Sequence, residues 1–196
     1  MNTPENDKRL RIKDAAKKLF IHYGFAKTNM EDIAKSANMS KPALYYYYEN
    51  KAALFKEILQ QEATLLLEQI DQHISKVDDP VAQFELFFQL IFKNLTKLAK
   101  ELSSQPDMVC DHGLHGRRLI KQLHGMFNTR LEPILQRGLD AGVFHFRDIT
   151  ITLRALNEMT QFLSVEWAAS LPAKQRNKIF NTIVTLMVQG LKGDTQ

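Results

Sequence analysis

The sequence predicts an all-α protein, and two features of the chain lead to that prediction. Apolar residues recur every three or four positions along most of the 196 residues, which is the spacing of helices that bury one face. The stretches between them carry Pro, Gly or Asp, as in "SSQPD" and "SLPA", and no alternating strand pattern competes. We expect an N-terminal unit over residues 1–50 and a larger helical domain over residues 51–196.

The first helix is predicted over residues 7–23, where Ile12, Ala16 and Phe20 recur among lysines and arginines. Gly24 follows this stretch, in the position where glycine commonly ends a helix in the left-handed conformation. The pattern therefore indicates one apolar stripe and a basic remainder.

The next two helices are short, and capping residues mark their ends. Asn29 is a good N-cap for a second helix, which ends near Asn38, a residue that tolerates a left-handed turn. Ser40 is the N-cap of a third helix, and Pro42 lies in its first turn, where a missing N–H does no harm. Two short helices joined by the tight turn "NMS" have the layout of a helix-turn-helix.

The remaining helices are longer and carry more apolar residues. Asn50 is the predicted N-cap of a fourth helix that runs to "KVDDP". Further helices are predicted over residues 80–102, 115–139, 148–169 and 172–191.

Charge is concentrated at the N-terminus. Residues 1–50 hold nine Lys/Arg against six Asp/Glu, whereas the other 146 residues hold 17 against 16. Such clustering is typical of a module that binds a polyanion, although a solvated helix face has the same composition.

The composition also bears on the compartment and on catalysis. The single cysteine, Cys110, cannot form an internal disulfide, which favours a reducing cytoplasm. The polar start has no apolar signal segment, and no apolar run is long enough to cross a bilayer. We predict no enzyme and no cofactor, because a Gly-rich phosphate loop, an "HExxH" motif and a "GxSxG" motif are all missing.

The stretch "SKPALYYYYENKAALF" places four consecutive tyrosines after a proline. Successive helical residues are rotated by about 100°, so the four rings cannot all face one core. Leu44 and Tyr48 are four apart and are expected to turn inward, leaving Tyr45, Tyr46 and Tyr47 for other faces. Tyrosine rings pack on sugars and thymine methyls, and their hydroxyls bind phosphate, although tyrosine runs also occur in cores and protein interfaces.

Other residues around this helix have DNA-binding chemistry. Lys41, Pro42 and Ala43 project from its start, where base edges in the major groove come closest. Thr28 and Lys51 flank the unit and are expected to bind phosphate.

The stretch from Ile12 to Leu59 resembles the N-terminal domain of the tetracycline-repressor (TetR) family. The matching landmarks are "AA..LF...G...T" in the first helix, "IA..A" in the second, "S...LYYY" in the third and "K..L" after it. Asn38 stands where the family commonly has glycine, and Tyr48 where it has phenylalanine; tyrosine fits there if its hydroxyl reaches the rim of the core.

The resemblance implies a homodimeric repressor with three small DNA-binding helices, a linking fourth helix and a C-terminal domain for effector binding and dimerisation. Its partners would be palindromic operator DNA, a second copy of the chain and a small apolar or amphipathic effector, with no membrane. The positions that match the family's DNA contacts are Thr28, Lys41, Pro42, Ala43, Tyr45, Tyr46, Tyr47 and Lys51.

The C-terminal domain offers candidate effector contacts, which are aromatic residues with a few polar groups near them. The predicted set is Phe84, Phe88, Phe92, His112, Phe127, Asn157, Gln161 and Phe162. The alternative is that these aromatic residues are plain core.

The last two predicted helices have apolar residues on more than one side, so one face is available for pairing with a second copy. The predicted interface residues are Ile151, Leu156, Met159, Ile179, Ile183, Leu186 and Met187.

The segment "CDHGLHGRR" brings Cys110, His112 and His115 close together in sequence. A zinc or copper sensor would need such a cluster, but its spacing matches no standard zinc finger and its glycines indicate a loop, so no metal site is predicted. A metal-sensing regulator of the same fold, and a helical adaptor that binds no DNA, are the alternatives to a ligand-responsive repressor.

Overall fold

The computed structural model describes residues 4–102, 114–160, 163 and 165–193. Every regular element in these ranges is an α-helix, which confirms the predicted fold class. None of the described helices is long and apolar enough to cross a membrane. In chain order the helices are α1 Pro4–Tyr23, α2 Met30–Ser36, α3 Lys41–Tyr47, α4 Lys51–Ile74, α5 Pro80–Leu102, α6 Leu114–Asp140, α7 Ile149–Thr160, α8 Val165–Ser170 and α9 Ala173–Lys192.

Local hydrogen bonds start the short helices where the sequence predicts. The Asp32 amide donates to Asn29 Oδ1 at 2.9 Å, and the Ala43 amide donates to Ser40 Oγ at 3.3 Å. In the turn between α2 and α3, Asn38 has a φ of 55°, the left-handed conformation that asparagine tolerates better than most residues.

The chain divides into two units, and the first comprises residues 1–62 together with 101–113. In the described part of this unit, α1, α2, α3 and the start of α4 surround one apolar core. Ile12, Ile33, Leu44 and Leu54 are each 0% exposed, so every one of these helices contributes a fully buried side chain. Burial of this kind fixes how α3 is presented, because its inner face cannot rotate without opening the core.

The second unit comprises residues 63–100 and 114–196, and its described part has a separate core rich in phenylalanine. Phe92 stacks on Phe180 with ring centroids 3.9 Å apart and an interplanar angle of 4°. A polar link is also present: Arg137 Nη2 donates to Gln83 Oε1 at 2.6 Å, and the Gln83 amide donates to the carbonyls of Val77 and Ile74. These contacts join α5 and α6 to the turn after α4.

The prediction of one helix over 148–169 is wrong, since α7 ends at Thr160 and α8 begins at Val165. The Thr160 hydroxyl donates to the carbonyls of Leu156 and Asn157, at 2.8 and 3.2 Å, and so competes with backbone donors at the helix end. The Leu163 amide donates to the Thr160 carbonyl at 3.0 Å, a tighter turn than an α-helix makes.

Candidate nucleic-acid interface

The surface of α3, the reading helix, is set by two buried residues. Leu44 is 0% exposed and Tyr48, the C-cap, is 4% exposed, so both turn inward as the spacing predicts. The outward positions are therefore determined: Lys41, Pro42, Tyr45 and Tyr46 are exposed, and Ala43 and Tyr47 are half-buried.

Tyr46 is the most exposed aromatic residue in the described part of the chain, at 79%. Its ring meets the Tyr47 ring edge-to-face at a centroid distance of 5.2 Å. The guanidinium carbon of Arg9 lies 5.7 Å from the Tyr47 ring centroid, close enough for a cation–π interaction. A large aromatic side chain that is exposed to water beside cations adds nothing to a folded core. A nucleic-acid-binding surface can use such a side chain.

Tyr48 does not bring its hydroxyl to the rim of the core. The hydroxyl oxygen is buried and has no hydrogen-bond partner among the described residues. Burial, with a smaller contribution from the Glu57 carboxylate, raises the pKa of Tyr48 to about 12. Its ring is held under Arg9, whose guanidinium carbon lies 5.4 Å from the ring centroid.

Thr28, predicted to bind phosphate, is 2% exposed. Its hydroxyl donates to the Gly24 carbonyl at 2.8 Å and lies 3.3 Å from the Leu19 carbonyl. The side chain therefore fastens the loop after α1 to the end of that helix. Its contact with DNA stays a prediction.

Lys51 also holds this loop in place. Its ammonium donates to the carbonyls of Phe25 at 2.5 Å, Thr28 at 2.7 Å and Ala26 at 3.4 Å. The Nζ atom lies 4.4 Å from the Phe25 ring centroid, and partial burial lowers the pKa of Lys51. The three carbonyls use the three N–H donors of the ammonium, so a phosphate would have to compete with them.

Acidic partners neutralise several cations of this unit. Glu31 lies 3.0 Å from Lys35 and 3.7 Å from Lys41, and these ammonium groups, Lys35 first, lower the pKa of the Glu31 carboxyl. Acids of α4 pair with bases of α1 in the ion pairs Arg9–Glu57, Lys13–Glu57 and Lys17–Glu62, at 3.5, 3.3 and 2.8 Å.

Two basic residues of the N-terminal charge cluster that are not among the predicted DNA contacts lie beside the reading helix. Lys8 and Arg11 of α1 line a surface recess together with Ala43, Tyr46 and Tyr47. Lys8 and Arg11 are three residues apart in the sequence, and this spacing places both cations on one side of α1. The DNA contacts predicted from the sequence lie in and beside α3 and include no residue of α1.

The predicted effector residues that the structure describes lie within the second unit. Phe84, Phe88 and Phe92 are buried in its core, and Phe127 packs edge-to-face on Phe87 at 6.4 Å. Asn157 Nδ2 donates to Asn128 Oδ1 at 3.2 Å. His112, Gln161 and Phe162 lie outside the described residues.

A surface groove of about 470 Å³ occurs between α4 and α5 of the second unit. Its apolar lining includes Leu66, Ile70 and Leu90, and its basic lining includes Lys93 and Lys97. The predicted aromatic contacts do not line it, and their effector role stays a prediction.

The predicted dimer residues fall into two groups by exposure. Ile151, Met159 and Leu186 are 61%, 48% and 62% exposed. Leu156 and Met187 are instead buried in the subunit's own core, at 4% and 3% exposed. Ile179 and Ile183 are half-buried.

The candidate metal cluster cannot be placed, because Cys110 and His112 and the side chain of His115 lie outside the described residues. Within the described residues, no group of three or more His, Cys, Asp or Glu side chains is arranged to hold a metal ion.

The fold and the surface of the first unit define a class of protein: a helix-turn-helix protein whose capped reading helix carries exposed tyrosines. Residues 12–58 match the family "Bacterial regulatory proteins, tetR family". Residues 12–58 therefore form a DNA-binding domain of the type found in TetR-family regulators of transcription.

Similarity to known proteins extends beyond the first unit. The HTH-type transcriptional regulator YhgD of Bacillus subtilis is 23% identical over 194 residues, covering 96% of this chain and 98% of the relative. The negative transcriptional regulator IcaR of the Staphylococcus epidermidis biofilm operon icaADBC is 32% identical over 103 residues, covering 50% of this chain and 54% of the relative. The crystal structure of FadR from Bacillus subtilis in complex with stearoyl-CoA superposes with a TM-score of 0.72 at 19% identity, covering 92% of this chain and 98% of that one. This last likeness concerns the fold.

Proposed function

We propose that the protein represses transcription by binding a palindromic operator as a homodimer, and that a small amphipathic effector releases it. The observation that carries the proposal is the 79% exposure of Tyr46 on a reading helix whose other side is locked into the core. The protein acts on DNA in the cytoplasm by binding, not by catalysis. IcaR, a relative, is named as a negative regulator, which supports repression of transcription over activation.

Dimerisation is supported by the exposed apolar residues of α7 and α9. Ile151, Met159 and Leu186 leave an apolar surface that a second copy of the same chain would cover. Two reading helices must then enter major grooves about 34–36 Å apart, or a multiple of that spacing. Leu186→Glu is expected to give a monomer in sedimentation analysis, whereas Leu65→Glu, at a position on α4 that is 46% exposed, leaves the mass unchanged.

The effector class follows from the groove between α4 and α5. An apolar lining with Lys93 and Lys97 beside it suits a molecule with an acyl chain and an anionic head. FadR, which has a similar fold, was crystallised with stearoyl-CoA, a molecule of that description. To shift the DNA-binding conformation from 99% to 1% of the population, the effector must bind the other conformation more tightly by about 5.5 kcal/mol.

The central test is the affinity of Tyr46→Ala for duplex DNA recovered from a random pool by selection. We expect a clear loss of affinity with unchanged far-UV circular dichroism, because the exposed ring supports no core contact. Tyr46→Phe keeps the ring and is the matched control, so it separates stacking from hydroxyl contacts. Unchanged affinity of Tyr46→Ala would remove the basis of the proposal.

The effector proposal is tested on the same complex. Stearate and stearoyl-CoA are titrated against the bound duplex, and release is expected. The double variant Lys93→Ala, Lys97→Ala should need more ligand, while Lys178→Ala on the exposed side of α9 should not. If neither compound releases the duplex, the effector class is wrong and the DNA-binding function still stands.

A further inference from the structure

The recess beside the reading helix has a volume of about 260 Å³ and lies entirely within the first unit. We call it the α1–α3 recess; it is lined by Lys8 and Arg11 from α1 and by Ala43, Tyr46 and Tyr47 from α3, among others. It is therefore continuous with the surface that carries the proposed DNA contacts.

The charges of the α1–α3 recess are of one sign. Lys8 and Arg11 are exposed and make no ion pair within the described residues, although other cations on α1 are paired with Glu57 and Glu62. No acidic side chain is among the described residues that line the recess. The acids of α4 thus pair with Arg9, Lys13 and Lys17, whereas the two cations of the recess remain available to an anion.

The aromatic wall of the recess is held in position. The Tyr47 ring meets the Tyr46 ring edge-to-face and lies under Arg9, so contacts with two neighbours restrain Tyr47. The two cations can bind phosphate groups, and the two phenol rings can pack on a sugar. The recess therefore suits a polyanion in which sugars link the charged groups. The backbone of duplex DNA has this chemistry.

We propose that the α1–α3 recess binds the sugar-phosphate backbone of one operator strand, with Lys8 and Arg11 on its phosphate oxygens. This inference rests on the proposed function and adds a strand contact from α1 to the contacts of the reading helix. Phosphate contacts position a protein on the duplex and carry no sequence information directly. The contact thus sets how deep and at what angle α3 enters the groove.

The test compares Lys8→Ala, Arg11→Ala and the double variant with Lys18→Ala. Lys18 is an exposed lysine on the same helix that does not line the recess, so it is a matched control for loss of charge. Affinity for the selected duplex is measured by fluorescence anisotropy over a series of salt concentrations. Each lost phosphate contact lowers the slope of log affinity against log salt by about 0.9.

We expect a slope lower by about 0.9 for each single variant and by about 1.8 for the double variant, and no such change for Lys18→Ala. Arg11→Lys should keep the affinity and the selected sequence. An unchanged slope in the double variant, an equal effect of Lys18→Ala, or an altered selected sequence for Arg11→Lys would each overturn the assignment.

These outcomes are distinguishable from failure of the proposed function. If the unaltered protein binds the duplex and Tyr46→Ala weakens binding while the double variant behaves normally, only the recess assignment is wrong. If the unaltered protein binds no duplex at low salt, both are wrong.

Discussion

Replacing Lys51 by methionine is expected to destabilise the first unit, because this ammonium holds the loop after α1. Two of its hydrogen bonds are short, to Phe25 O at 2.5 Å and Thr28 O at 2.7 Å. Water reaches these part-buried carbonyls once the lysine is gone, so each bond is worth about 1–1.5 kcal/mol and the loss is about 2–3 kcal/mol. Methionine retains a contact with the Phe25 ring, which limits the effect to the polar interactions.

The chain allows this loss to be assigned to one unit. All five tyrosines lie in the first unit, at position 23 and at positions 45–48, whereas the single tryptophan, Trp167, lies in the second. Urea unfolding followed by the tyrosine near-UV signal therefore reports on the first unit, and tryptophan fluorescence reports on the second. Lys56→Met, at an exposed position on the same helix, is the control and should change the free energy of unfolding by less than about 0.5 kcal/mol.

The same variant separates two roles of Lys51. If its charge binds phosphate, the salt slope of DNA binding falls by about 0.9 in Lys51→Met. If Lys51 instead holds the loop, the free energy of unfolding falls and the salt slope of DNA binding is unchanged. An unchanged free energy of unfolding from the tyrosine signal would refute the structural reasoning, because it would mean that water satisfies the three carbonyls as well as the ammonium does.

Two further substitutions test the cores. The raised pKa of Tyr48 means that the folded state keeps a proton that the unfolded state loses, so stability should fall as pH rises from about 10 to 12. Tyr48→Phe should abolish that part of the pH dependence and raise stability at neutral pH by about 1 kcal/mol, since it removes a buried hydroxyl without a partner; a loss of stability would contradict this. In Gly138→Ala the new Cβ would lie 1.9 Å from Phe144 Cδ2, so denaturant unfolding should show a loss of about 1–3 kcal/mol. Gly125→Ala, in the same helix with nothing within 4 Å, should instead gain about 0.5–1 kcal/mol; an equal loss in both would refute the steric explanation.

The short helices could be predicted because their signals are local. Asn29, Ser40 and Asn50 each accept a hydrogen bond from an amide three residues later, so residue type and position suffice to find them. Asn38 is similar, since its left-handed φ depends on its own side chain. The inward turn of Leu44 and Tyr48 follows from helical spacing alone.

Roles that depend on contacts distant in sequence could not be found in this way. Lys51 reaches carbonyls 23 to 26 residues away, and nothing near it in the chain indicates that its three donors are engaged. From the sequence, the only role predicted for this flanking lysine is phosphate binding, and that role stays a prediction. The break between α7 and α8 was missed for a related reason, because a threonine hydroxyl that competes for helix carbonyls leaves the apolar periodicity intact.

The charge of the DNA-binding surface shows most directly what a sequence count omits. The first 50 residues have a basic excess, but Glu57 and Glu62, which lie beyond them on α4, are the acids that pair with Arg9, Lys13 and Lys17. These pairs are at least partly exposed and contribute little to stability, so their effect is to decide where positive charge remains. Lys8 and Arg11 remain unpaired among the described residues, and both lie beside Tyr46 and Tyr47. The pairs with α4 therefore leave two unpaired cations of α1 beside the reading helix, where they can attract a polyanion that approaches the unit.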